Sequence, residues 1–259
     1  MEIITTILDN LGIGQQQALM FALLLPFFPL LLILNRRIRE GRKPILRPIP
    51  GYDALSEYVG QATESGRSLH VSMGTGGIGT GGTAETLAGL TVLEHIAAQA
   101  AVSGLKLIVS VSDPSLLPVA QDVLWNSYAL HGYTEEYDPT CVRFISPDRV
   151  AYAAGVTDIL DHAEVVANIM VGDFSDEFLL MSEIGARRGI GQLGGTTSPQ
   201  ILPLIYASVD HSLIGEEIFA AGAYLLNRTS HIASLAGQDW LRTAIIITIV
   251  VGVLARTLA

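Results

Sequence analysis

The densest chemical signal in the chain is the run Gly74–Thr83, GTGGIGTGGT, between an apolar stretch, SLHVSM, and a long amphipathic one. A parallel α/β fold places its phosphate loop at such a junction, because glycine lets backbone N–H groups approach an anion at a helix N-terminus. Gly74, Gly76 and Gly79 fit G-x-G-x-x-G, and Gly77, Gly79 and Gly82 fit it in a second frame. Thr83 would cap the helix that follows. The acidic residue closing the second predicted strand is Asp113, 31 positions after Gly82, where dinucleotide-binding folds place theirs after about 20. The run lacks a phosphate-loop lysine. Two readings follow: a ligand loop using Gly74, Gly76, Gly77, Gly79, Gly82, Thr83 and Asp113, or a glycine loop that is flexible or contacts another subunit. A second glycine cluster, Gly189–Thr197, would emerge at the same sheet edge and line the same crevice.

Other polar groups have simpler explanations. Asp158 and His162 have the i, i+4 spacing of a metal pair, but with Asp161 and Glu164 they read as a solvated helix end. Asp173, Asp176 and Glu177 follow an apolar strand, so Asp173 or Ser175 would cap the next helix. Asp210 and His211 precede Glu216 and Glu217, which would pair with Arg187 and Arg188 or with a neighbouring subunit. The chain has no nucleophile elbow, HExxH or kinase set, and Cys141 is its one cysteine. No catalytic residue and no metal site is expected, the enzymatic reading is disfavoured, and the cofactor stays unassigned.

Elements that would position these residues alternate along the chain. Ser68–Met73, Leu105–Val111, Cys141–Ile145, Val165–Val171 and Gly189–Leu193 read as strands. Thr83–Ala101, Pro114–Leu130, Asp148–His162 and Ser175–Arg188 read as helices between them. Apolar strands in rotation with helices make βαβ units, so the body is expected to be α/β: a Rossmann-like, doubly wound, mostly parallel sheet of about five strands. Beyond Gly194 the pattern is helical only, with helices over Pro199–Ser208 and Ile214–Leu226.

The 259 residues are 49% hydrophobic and 15% charged, with mean hydropathy +0.44 and net charge −10. Much of that hydrophobicity sits at the two ends. Residues 18–35 and 240–259 are apolar enough to predict N- and C-terminal transmembrane helices, the first interrupted by Pro26 and Pro29, which would kink or unwind it. Arg36, Arg37, Arg39, Arg42, Lys43 and Arg47 crowd the C-terminal side of the first span. By the positive-inside rule they place the body in the cytoplasm of a cell with an inner membrane, and both termini outside. The organisation is then an extracytoplasmic segment 1–17, the span 18–35, a basic collar and linker 36–50, an α/β domain 51–194, a helical extension 195–239 and the span 240–259. Residues 51–239 carry 22 acidic and 7 basic side chains, a net of −15. That balance excludes nucleic acid as a partner.

The strings HVSMGTGGIG, VGDFSDEFLLMSEIGARRG, QLGGTTSPQ and DHSLIGEEIFAAGAYL resemble an uncharacterised bacterial family of membrane-anchored domains of unknown function. The resemblance implies an architecture and no activity. The expected function is a membrane-anchored, non-enzymatic, self-associating scaffold on the lipid bilayer. The alternatives are a nucleotide- or phosphate-ligand-binding domain using residues 74–83, or an accessory subunit of another membrane complex.

Overall fold

The computed structural model describes residues 15–41, 44, 46–79 and 81–258. The expected extracytoplasmic segment as far as Gly14, Arg42 and Lys43 of the collar, and Thr80 of the glycine run lie outside the described residues. The chain divides into two compact units: a body, Arg47–Leu226, and a unit formed by the segments on either side of it.

In the body, helix α2 (Pro50–Ser65) leads into β1 (Ser68–Gly74). There follow α3 (Thr83–Ser103), β2 (Leu107–Val111), α4 (Leu116–His131), β3 (Val142–Phe144), α5 (Arg149–His162), β4 (Val165–Asp173), α6 (Glu177–Arg188), β5 (Gly191–Thr196), α7 (Leu202–Ser208), β6 (His211–Ile214) and the short α8 (Ala221–Tyr224). The six strands form one sheet of order β3-β2-β1-β4-β5-β6, with every pairing parallel. This is the 3-2-1-4-5-6 order of doubly wound dinucleotide folds, in which the direction of strand addition across the sheet reverses between β1 and β4.

Helices cover both faces, as an all-parallel sheet requires. Alternation along β1 sends Leu69, Val71 and Met73 to one face and His70 and Ser72 to the other. The first face meets α3, where Gly89 approaches so closely that a Cβ there would overlap the carbonyl oxygen of Val171 and lie 3.2 Å from Met73 Cγ. The second buries Ile108 and Met170 with Tyr152, Val156 and Leu160 of α5 and Phe178 and Met181 of α6.

Three expectations are corrected. The sheet has six strands where about five are expected, and is wholly parallel. The sixth, His211–Ile214, lies where only helices are expected, because four residues at a sheet edge are too few to show a period. Residues 214–226 form a 3₁₀ turn (Gly215–Ala220) and α8 rather than one helix. The Pro-rich linker also ends sooner than expected, since Pro50 occupies the first turn of α2, where its missing N–H costs nothing.

In the other unit, α1 (Gln15–Arg39) is assigned as one helix through Pro26 and Pro29, without the expected unwinding, and α9 runs over Thr229–Leu258. Within this unit the two pack where Gly237 faces Leu31 and Phe27, 3.0 and 3.5 Å from the position of an added Cβ. Among the described residues one helix is long and apolar enough to cross a membrane, Thr229–Leu254, with mean hydropathy 1.4. Of the expected pair of flanking spans, the described residues supply one candidate. The described side chains of α1 begin at Leu25 and give only a short apolar stretch before Asn35 and Arg36. The C-terminal span also starts earlier than residue 240, inside a continuous helix.

Gly89→Ala tests the closeness of α3 to β4. Alanine favours a helix interior by about 1 kcal/mol over glycine, but overlap with the backbone of Val171 costs about 1–3 kcal/mol. We expect net destabilisation, measured as a lower urea midpoint for the chain in detergent.

Candidate functional site

The strand order reverses between β1 and β4, and doubly wound folds form their ligand crevice at the carboxyl ends of the strands at such a point; the glycine run lies at those strand ends. Gly74 and Asp173 are register partners at the end of the two strands. Gly74 has φ +77°, and a Cβ on it would overlap the carbonyl oxygen of Asp173. Only glycine fits there, on both counts. Thr75 N–H then donates to the same carbonyl at 2.9 Å, fastening the start of the loop to β4.

Two carboxylates support the loop. Gly77 rests against Asp113, whose Cγ lies 2.6 Å from the position of an added Cβ. Gly76 and Gly82 both rest against Asp173, whose Cβ lies 2.7 Å from the corresponding positions. Asp113 stands just past β2, where its Oδ1 accepts the Ser115 N–H at 2.7 Å and the Ser115 hydroxyl. Burial raises the Asp173 carboxyl above its ordinary pKa and the charge of Glu85 adds to this, while Arg149 pulls it back.

The hydroxyl of Thr83 does not cap α3 as expected. It donates to Gly77 O at 3.1 Å and accepts Gly79 N–H at 2.9 Å, tying the loop to itself. The N-cap position belongs to Gly82, whose carbonyl instead accepts the Thr86 hydroxyl at 2.9 Å.

Two further carboxylates border the loop. Glu177 is 2% exposed. Its Oε1 accepts Ser175 N–H at 2.9 Å and the Thr75 hydroxyl at 3.3 Å, and its Oε2 has no partner among the described residues. Glu85, on the first turn of α3, accepts the hydroxyl of Thr197 just past β5.

A buried polar chain leads from the middle of the sheet towards this crevice. Asn168 Oδ1 lies 2.7 Å from His70 Nδ1, and His70 Nε2 lies 3.0 Å from Ser110 Oγ. The Tyr152 hydroxyl bridges Ser110 Oγ at 2.9 Å and Ser72 Oγ at 2.7 Å, and Ser72 Oγ accepts the N–H of Gly74 at 3.4 Å. Asn168, His70, Ser110, Tyr152 and Ser72 are all buried. Their mutual bonding is what makes polar groups tolerable there.

The sequence-derived residues thus converge: Gly74, Gly76, Gly77, Gly79, Gly82 and Thr83 form one loop, and Asp113 lies against it. The second glycine cluster is corrected. Residues 191–196 are strand β5 itself, and its glycines admit neighbours. An added Cβ on Gly191 would lie 2.5 Å from Tyr58 Cε1, and one on Gly194 2.8 Å from Phe178 Cζ. Only the turn beyond, at Thr197, reaches the crevice.

The cap is corrected too. Neither Asp173 nor Ser175 holds that position, since α6 has Asp176 at its N-cap without a side-chain bond, while Glu177 stands in the first turn of α6. The position of Asp173 and Glu177 just past a buried parallel strand is the signal that would have found them. Glu217 pairs with Arg47 at 2.5 Å rather than with Arg187 or Arg188, which pair with Glu183 and Asp161. Asp158 and His162 meet at an exposed helix end, 3.1 Å apart. Among the described residues no group of three or more His, Cys, Asp or Glu is placed to hold a metal ion.

Strand order, loop and crevice define a doubly wound α/β domain of the Rossmann type, in a chain that also carries a long apolar C-terminal helix. The family model described as domain of unknown function (DUF6754) matches residues 10–259, and the chain belongs to that family. Compared with the curated proteins and with the solved structures, it matches none.

Burial lowers the pKa of His70 to about 4, against the small upward pull of its bond to Asn168. A neutral His70 stabilises the fold fully above the unfolded-chain pKa of about 6.5, and that stability is lost as pH falls from there towards 4. The slope this one group adds approaches about 1.4 kcal/mol per pH unit. In urea unfolding across that window, His70→Gln should show a shallower pH dependence than the wild type.

Proposed function

We propose that this protein is a membrane-tethered binding domain that takes a small ligand in the crevice between β1 and β4. The observation that carries the reading is convergence at the switch point. A loop rich in close-packed glycines and polar side chains from the ends of β2, β4 and β5 meet where doubly wound folds bind their ligands. None of the described groups forms a nucleophile–base pair there, so the reading is one of binding rather than turnover.

The tether is α9, whose Ile245, Ile246, Ile247, Ile249, Val250 and Val251 are all exposed in the chain by itself. Burying such a surface in hydrocarbon stabilises it by about 25 cal/mol per Å². A membrane position for α1 as a second span follows from its apolar sequence. Arg36, Arg37, Arg39 and Arg47 then put the body on the cytoplasmic side and both termini outside.

A second reading, self-association within the bilayer, is favoured by Gly252 of α9, where an added Cβ would meet nothing within 4 Å, since small residues of this kind let membrane helices of another copy approach closely. Native mass spectrometry in detergent decides it, multimers supporting and a clean monomer excluding it.

Ligand binding is tested by thermal shift of the detergent-solubilised chain against a panel of nucleotides, nucleosides, sugars and amines. A ligand at 100 times its Kd contributes about 2.7 kcal/mol, so a clear rise in Tm is expected, lost in Gly77→Val and weakened in Thr83→Val. A panel without any shift, or a shift indifferent to both substitutions, overturns the reading.

The tether has its own test. The wild-type chain should stay with membranes through carbonate washing. Ile247→Arg, at a cost of about 2.5–3.5 kcal/mol for a charge at the helix centre, should release a substantial fraction.

A further inference from the structure

The crevice has the shape of a phosphate loop but the opposite electrostatics. Where a phosphate would lie against backbone N–H groups, this loop is folded onto the chain's own anions: Gly77 onto Asp113, and Gly76 and Gly82 onto Asp173. Glu85 is close enough to raise the Asp173 pKa by its charge, and Glu177 is bonded to Thr75 inside the loop. An incoming phosphate would meet four carboxylates.

An independent observation concerns donors. The Glu177 side chain is 2% exposed, and its Oε2 has no hydrogen-bond partner among the described residues. Glu85 Oε2 is likewise buried without one, while its other oxygen takes the Thr197 hydroxyl. A buried carboxylate oxygen without a donor is costly, and native structures supply one. The two oxygens belong to α3 and α6, and no group of three or more ligating side chains among the described residues is close enough to share a metal ion. Two oxygens on two different helices, each lacking one donor, suit separate N–H groups carried by one organic molecule. The surrounding body, at a net of −15 over residues 51–239, draws cations towards it.

We infer that the ligand of this crevice is an amine-bearing organic cation, one ammonium donating to Glu177 Oε2 and a second donor group to Glu85 Oε2. The inference rests on the crevice being a binding site, as proposed above, and adds the charge of what it binds. The glycines serve to bring the loop down over Asp113 and Asp173, and the carboxylates beyond it select the ligand.

Isothermal titration of the full chain in detergent tests this with spermidine, NAD and inorganic phosphate as probes. Spermidine should bind, and NAD and phosphate should not. Glu177→Gln keeps an acceptor for Ser175 and Thr75 but removes the charge. It should weaken spermidine about tenfold or more, as loss of a charged hydrogen bond does, and Glu85→Gln should do the same. Glu64→Gln, on the exposed end of α2, should leave the affinity unchanged, and a Tm close to wild type identifies folded variants.

Binding of NAD or phosphate that is lost in Gly77→Val, with spermidine inert, overturns the charge assignment while the crevice remains a site. Spermidine binding equally well to Glu177→Gln and Glu85→Gln is attraction to an acidic surface and overturns the inference. So does the absence of spermidine binding, and the thermal-shift panel then decides separately whether the crevice binds anything.

Discussion

The contact between Gly74 and the backbone of Asp173 governs the arrangement of this molecule. β1 and β4 are neighbours in the sheet although two whole βα units separate them in the chain, and the connections leave their carboxyl ends on opposite sides. A side chain at position 74 would collide with the Asp173 carbonyl. With glycine, the strands stay paired to their last residues and the chain leaves β1 at a left-handed φ that starts the loop. Thr75, Gly76 and Gly82 then reach Asp173, and Gly77 reaches Asp113, because the loop begins so close to β4. A bulkier residue 74 would separate the strand ends and remove the floor of the crevice.

Beneath that contact the sheet carries an unusual interior. On one face Leu69, Val71 and Met73 make an ordinary apolar layer under α3. On the other, His70, Ser72, Ser110 and Asn168 form a polar layer under Tyr152 of α5. Each member is bonded to another, Asn168 through its Oδ1 alone, so the layer demands one register for β1, β2 and β4 together. A slip of one residue would send these groups to the apolar face without partners. The same layer ends at the N–H of Gly74, so the register of the interior and the start of the crevice loop are set by one set of bonds.

The parallel α/β class is legible in the sequence because buried strands such as VVANIMV and LKLIVSV read as continuous apolar runs between helices. The glycine loop and its place after the first strand are legible for a similar reason, since ten residues with six glycines have no helical or strand pattern. β6 is not, being four residues at the sheet edge, of which only Leu213 is buried. Nor is the role of Gly191, Gly194 and Gly195, which read as part of a crevice-lining cluster and are strand positions cleared for Tyr58, Phe178 and Ile218. The missing information in each case is the identity of a partner distant in the chain.

What the sequence by itself determined is therefore local: which segments are strands and helices, where the chain is long and apolar enough to cross a membrane, and which loop lets the backbone come close. Its membership of the DUF6754 family rests on that same linear pattern. Only the tertiary structure decided what the loop comes close to. Asp113, Asp173, Glu85 and Glu177 lie up to 92 residues apart in the chain, and in the sequence each reads as an ordinary strand-end or helix-start residue. Their shared address at the switch point arises from the strand order, because charges act through space and sequence separation carries no record of which strand ends become neighbours.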